Sequence, residues 1–185
     1  MNASRGRNAA LIAALLVFAA ALSPPARPFL REAAYRLGVL STPRPLERGK
    51  PLGEISLVAL DGSKVFVRPR PGHALLINVF ATWCPPCQAE TPLLVSVAPS
   101  LERSGVDVVG VDQADSISQV ERFTSAFAVP YPVYVDQNWT TKITLDARVI
   151  PTTLLVDRRD IVRYVHSGPL DSSDLLAMSK AARNI

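Results

Sequence analysis

The chain has 185 residues, enough for one domain of ~100–200 residues and a short appendage. It is 48% hydrophobic and 19% charged, which excludes a chain disordered over most of its length. Only two cysteines are present, which excludes a disulfide-stapled miniprotein, and a single long apolar run excludes a polytopic membrane protein. The net charge of +4 is uneven: residues 1–50 hold 8 basic and 2 acidic residues, and residues 51–185 hold 12 and 14. Basicity confined to a leader points to membrane targeting, and no nucleic-acid partner is expected.

Arg5 and Arg7 precede an unbroken apolar run, residues 9–22, that ends at Ser23-Pro24-Pro25. A basic start, a short apolar stretch and small residues make 1–23 a secretory signal peptide or a signal anchor. At ~1.5 Å per residue the run covers about 21 Å, short of a ~30 Å hydrocarbon core, which favours cleavage. A thinned bilayer would still accept it as an anchor. Either outcome carries the rest of the chain out of the cytoplasm. Residues 24–49, rich in proline and arginine, read as a linker with a short helix at Phe29–Leu40. Residues 50–185 are the domain.

Glu54–Leu60 alternates like a strand, Asp61-Gly62 is a two-residue hairpin signal, and Lys64–Val67 returns. Ala74–Phe80 is continuously apolar, as suits a strand covered on both faces. Cys84 to Arg103 reads as a helix, with Pro85 and Pro86 in its first turn and Pro92 expected to kink it. Val106–Asp112 is a second buried strand, Ser116–Ala128 an amphipathic helix, and Tyr131–Asp136 a third strand. A short helix is expected at Asn138–Ala147. Strands at Thr152–Asp157 and Ile161–His166 join through a tight turn at Arg158–Asp160, and Ser172–Arg183 closes the chain as a helix. This order implies an α/β domain with a mixed central sheet flanked by helices.

The chemistry centres on Trp83-Cys84-Pro85-Pro86-Cys87, between a buried strand and a helix. Thiols at i and i+3 share a helix face. Cys84, at the helix N-terminus, meets free backbone N–H groups and the positive end of the dipole. Both favour thiolate over a thiol of ordinary pKa ~8.5. Thiolate is the attacking species in disulfide exchange, so Cys84 is the expected nucleophile and Cys87 the resolving thiol. A zinc site would need two further ligands, and His73 and His166 lack a finger-like spacing. A purely structural disulfide closing so short a loop gains little. Pro151, opening a strand, reads equally as cis or trans from the residues alone.

These residues resemble the thioredoxin superfamily, and within it the exported or membrane-anchored thiol-disulfide oxidoreductases of the TlpA/ResA branch. The resemblance runs over residues 50–180, through Asn78–Cys87, Glu90-Thr91-Pro92, Val149–Thr153 and the Asp61-Gly62-Ser63 turn. It implies a thioredoxin-like fold with an added N-terminal β-hairpin. It implies a cis bond before Pro151, packed on the cysteines beside a strand-like docking site for substrate. It implies that Glu90 is an acid/base near both thiols, and that Trp83, Pro85, Pro86, Ile150 and Pro151 contact substrate. From the residues alone, Trp83 reads equally as a cover for the disulfide that shapes the docking surface and as simple core filling.

Three departures stand out. Thioredoxins carry a buried Asp where this chain has Asn78, here read as a hydrogen-bonded core amide. The Asp157–Asp160 turn lacks the usual Gly. Arg148-Val149-Ile150 replaces a Gly-containing loop. Partner selectivity is expected in the loops around Trp83, Pro151 and Asp112–Ser116.

By the same resemblance the protein would be a monomer reducing disulfides of exported proteins such as apocytochrome c. It would draw electrons from a membrane thiol transporter of the DsbD/CcdA kind and need no dissociable cofactor or metal. A disulfide-forming oxidase is the first alternative. A copper-binding module with His166 as ligand is another. A peroxide reductase is disfavoured, because no arginine lies between Phe80 and Leu101.

Overall fold

The computed structural model describes residues 48–183 except 114, 138–140 and 142–146. The leader, most of the linker, the Phe29–Leu40 helix and most of the Asn138–Ala147 helix lie outside the described residues. The elements are β1 (Ile55–Ala59), β2 (Lys64–Val67), β3 (Ala74–Phe80), α1 (Pro85–Arg103), β4 (Val106–Asp112), α2 (Ile117–Ala126), β5 (Val133–Val135), β6 (Thr152–Val156), β7 (Val162–Ser167) and α3 (Ser172–Arg183). The strands form one sheet in the order β2-β1-β5-β4-β3-β6-β7. β3, β4 and β5 run parallel, and the remaining neighbours pair antiparallel. This is the mixed sheet that the sequence predicts, with the hairpin β1–β2 at one edge.

β3 is buried at all seven positions because both its faces are covered. Leu75, Ile77 and Val79 point to one face, among Val109, Val111, Leu154 and Val156 and under Leu52, Ile55, Leu57 and Val67. Ala74 and Leu76 point to the other, against Leu94, Ala98 and Leu101 of α1 and Leu175 and Met178 of α3. Each fully buried Leu, Ile or Val contributes roughly 1.5–3 kcal/mol. The period of two puts Asn78 on the α1 face, where a polar side chain must find a partner.

Three local expectations change. The β1–β2 loop has three residues, not two. Ala59 N–H bonds the Ser63 carbonyl, Gly62 N–H bonds the Ala59 carbonyl, and Gly62 sits at φ +84°. That is a type I turn closed by a left-handed residue. The β6–β7 loop is the tight turn expected at Arg158–Asp160 and repeats this shape, with Asp160 at φ +66° where glycine would be usual. Aspartate tolerates that region, and Asp157 Oδ1 accepts from the N–H groups of Arg159 and Ile161 to fix the turn.

β5 begins at Val133 rather than Tyr131, because Pro130 and Pro132 cannot donate to a ladder. α2 ends at Ala126, two residues early. Val129 N–H bonds the Thr124 carbonyl, Ala128 N–H bonds the Ser125 carbonyl, and Ala128 takes φ +49°. This is a Schellman stop with alanine in the usual glycine place.

Candidate active site

β3 delivers the motif to the C-terminal end of the sheet, and the chain turns there into α1. Cys84 N–H bonds the Ala81 carbonyl at 3.1 Å, and Cys84 is the N-cap of α1. Pro85 and Pro86 have no N–H, so the first helical donor is that of Cys87. It points to Cys84 Sγ at 3.3 Å. The sequence suggests several free N–H groups at this sulfur, and the two prolines leave one.

Cys84 and Cys87 form a disulfide, and both are buried, at 3% and 1% exposure. The bond Ile150–Pro151 is cis, and the Ile150 carbonyl oxygen lies 3.9 Å from Cys84 Sγ. Ile150 is half-buried, Pro151 is buried, and Pro85 and Pro86 are exposed. Trp83, next in the chain to Cys84, is 62% exposed. Val149, 58% exposed, stands on the opposite loop, its carbonyl already occupied by the Thr152 hydroxyl at 2.6 Å. An apolar rim therefore flanks the buried sulfurs.

Glu90, one helical turn beyond Cys87, is only 3% exposed. Its Oε1 accepts from Asn78 Nδ2 at 2.7 Å and its Oε2 from Leu170 N–H at 2.8 Å. Asn78 Nδ2 also donates to Thr153 Oγ1 at 3.0 Å. Asn78 is thus the bonded core amide that the sequence suggests. Burial pushes the Glu90 carboxyl above the usual range, and the Leu170 and Asn78 donors offset part of that rise. Tyr131 is also raised, by its own burial and then by the negative charge of Glu90.

The structure also buries an acid beside the motif strand. Asp112 ends β4 beside Phe80, the last residue of β3. Burial raises its carboxyl to about 7. Asp115 follows it and bonds Thr82. The available signal was an acid closing an otherwise apolar parallel strand next to the motif strand.

His166 lies in β7, with Nδ1 3.3 Å from Asp174 Oδ1 and Nε2 3.3 Å from the Pro169 carbonyl. His73 lies 3.0 Å from Asp107. Among the described residues no three His, Cys, Asp or Glu side chains gather as a metal site.

A strand-to-helix Cys-x-x-Cys facing a cis-proline, with a buried carboxylate one turn on, is equipped for dithiol–disulfide exchange. The Redoxin family model matches residues 47–181, nearly all of the domain. The chain belongs to the Redoxin family. Its relatives include thiol-disulfide oxidoreductase ResA of Geobacillus kaustophilus (strain HTA426). That protein is 24% identical over 127 residues, covering 69% of this chain and 73% of the relative. ResA of Bacillus cereus (strain ATCC 10987 / NRS 248) is 26% identical over 121 residues, covering 65% and 70%.

Among solved structures, a thiol:disulfide interchange protein of the thioredoxin family from Chlorobium tepidum TLS superposes with a TM-score of 0.63. It shares 28% identity, covering 74% of this chain and 97% of that one. StoA from Bacillus subtilis gives 0.59 at 21% identity, covering 71% and 98%. This Redoxin-family chain is therefore an oxidoreductase of the thioredoxin superfamily, similar to the TlpA/ResA branch, whose cysteine pair supports thiol-disulfide exchange.

Proposed function

We propose that the protein reduces disulfides of exported proteins outside the cytoplasm, in the manner of a cytochrome c maturation reductase. The observation that carries this reading is the asymmetry of the cysteine pair. Cys84 caps the helix beside the cis Ile150–Pro151 bond and the apolar rim, while Cys87 lies a turn deeper, towards Glu90. In the reduced protein the Cys84 thiolate attacks a substrate sulfur and expels the other substrate sulfur as a thiolate. The Cys87 thiol gives its proton to the Glu90 carboxylate and attacks Cys84 Sγ. The second substrate sulfur leaves, and the Cys84–Cys87 disulfide holds the oxidation equivalent.

Two electrons pass to the substrate, and a membrane thiol transporter of the DsbD/CcdA kind would restore them. Trp83, Pro85, Pro86, Val149 and Ile150 would receive the substrate chain, with Pro151 shaping the strand-like docking site. The basic and apolar leader supports export or anchoring. The reading is tested by the reduction potential of the Cys84–Cys87 pair in the full chain, by thiol trapping across a dithiothreitol or glutathione series. A value near about −250 mV or lower supports the reductase. A value near about −120 mV reverses the direction and makes the protein a disulfide-forming oxidase.

A further inference from the structure

The turn after β4 grips the chain just before Cys84. Thr82 donates its N–H and its hydroxyl to the same oxygen, Asp115 Oδ2, at 2.8 and 2.7 Å. Its carbonyl accepts from Gln88 Nε2 at 2.7 Å, on the first turn of α1. Every polar group of Thr82 is thereby fixed, two residues ahead of the reacting sulfur. Asp115 is itself held, because its N–H donates to Asp112 Oδ1 at 2.9 Å.

Asp112 is wholly buried, and its other oxygen, Oδ2, has no hydrogen-bond partner. The backbone locks the same corner: Gln113 N–H bonds the Phe80 carbonyl, and Asp136 N–H bonds the Asp112 carbonyl, both at 2.8 Å. Asp115 lies directly against Asp112, and the carboxylate of Asp136 is turned onto Thr141. The Cys84–Cys87 pair packs with Phe80 in the neighbouring cluster. A buried acid with one bare oxygen is costly, and an amide or apolar side chain would fold more cheaply.

We propose that Asp115, anchored by Asp112, is a positioning residue for thiol-disulfide exchange, setting the placement of the Thr82-Trp83-Cys84 turn. The idea rests on exchange at Cys84 and is independent of whether the protein reduces or oxidises. Loss of the Thr82–Asp115 bonds frees the turn, so that the cysteine and tryptophan no longer meet substrate in one geometry. Misplacement of reacting groups by about 1 Å lowers rates by up to about 10²-fold. Asp112 would add a pH response: its ionisation, near pH 7, puts a negative charge on the support of the turn.

The test uses the full chain, with insulin disulfide reduction by dithiothreitol and iodoacetamide alkylation of Cys84 across pH 5–9. Thr82→Val keeps the shape and removes one donor; Thr82→Ser keeps that donor. We expect an exchange rate about tenfold lower in Thr82→Val and Asp115→Asn, with wild-type rates in Thr82→Ser. In Asp112→Asn, which lacks that charge, the Cys84 alkylation profile should move to lower pH than in the wild type. Wild-type rates and profiles in folded Thr82→Val and Asp112→Asn overturn the proposal. So does a Thr82→Ser loss equal to that of Thr82→Val, since the hydroxyl would then not be the operative group. If the aspartate variants do not fold, the two Thr82 variants decide. Failure of the wild type to exchange disulfides sinks the functional reading instead.

Discussion

Asn78 Nδ2 donates to Glu90 Oε1 at 2.7 Å, joining the middle of the motif strand to the second turn of the motif helix. Together with Leu170 N–H it holds a carboxylate inside the domain, with both oxygens engaged. That is an expensive placement unless the group has work as a proton acceptor. The raised Glu90 carboxyl is closer to the neutral range, where an acid/base is useful. Glu90→Gln keeps an acceptor for Asn78 but cannot take a proton, and it presents an amide to Leu170 N–H. The expected outcome is a fall of about 10²-fold in kcat for protein disulfide reduction, with KM little changed. The Cys84–substrate mixed disulfide should accumulate in rapid-quench gels. Unchanged kcat would leave Glu90 a structural residue.

Trp83 and Val149 expose large apolar surfaces on either side of a buried disulfide. Neither supports the core, so Trp83→Ala should shift stability by no more than about 0.5 kcal/mol. Loss of an aromatic anchor at a docking surface costs about 1–2 kcal/mol of binding, or roughly 5- to 30-fold in KM. Val149→Ala should act in the same direction and less. Denaturant titration and steady-state kinetics on an unfolded disulfide-bonded substrate read both quantities. A large stability loss with unchanged KM would return Trp83 to the core.

Asp112 makes stability depend on pH. Its folded pKa, about 7, lies above the unfolded value of 3.8, so the folded state holds the proton more tightly. Stability on this account is fullest below pH ~4 and falls as pH rises towards 7, at about 1.4 kcal/mol per unit of difference. Asp112→Asn retains the acceptor for Asp115 N–H and removes the charge. The oxidised variant should therefore be more stable than wild type at pH 8, by up to a few kcal/mol, with the gap closing towards pH 4. Urea melts at the two pH values measure it, and a constant gap would contradict the assignment.

The sequence made the centre of the fold plain, because continuous apolar strands and a strand-to-helix Cys-x-x-Cys carry their own periodicity. β3, β4 and α3 lie where the residues place them. The edges were less legible. Ala128 occupies a left-handed position normally advertised by glycine, so no local signal marked the end of α2. Cys84, Cys87, Glu90 and Pro151 could be picked out by spacing and resemblance. Thr82, Asp115 and Thr153 could not, because their roles arise from contacts between residues 33 to 75 positions apart. The single N–H at Cys84 follows from the two prolines, and its aim at the sulfur emerged only in three dimensions.

Residues 1–23 are expected to carry the domain across a membrane. Alkaline phosphatase fused after residue 50 should be active in a bacterial host and lose activity when Leu15 and Leu16 are changed to Arg, since charges in the apolar run oppose insertion. An inactive fusion would place the domain in the cytoplasm.

The most direct test of the whole account is to trap the exchange intermediate on each cysteine. Full-length Cys87→Ser and Cys84→Ser proteins are incubated with a disulfide-bonded substrate, quenched in acid and run on non-reducing gels. The account predicts a mixed disulfide through Cys84 in Cys87→Ser and little or none in Cys84→Ser, because the cap position beside Ile150–Pro151 belongs to Cys84. Equal trapping by both variants, or by neither, would contradict the assignment of Cys84 as the sulfur that meets substrate.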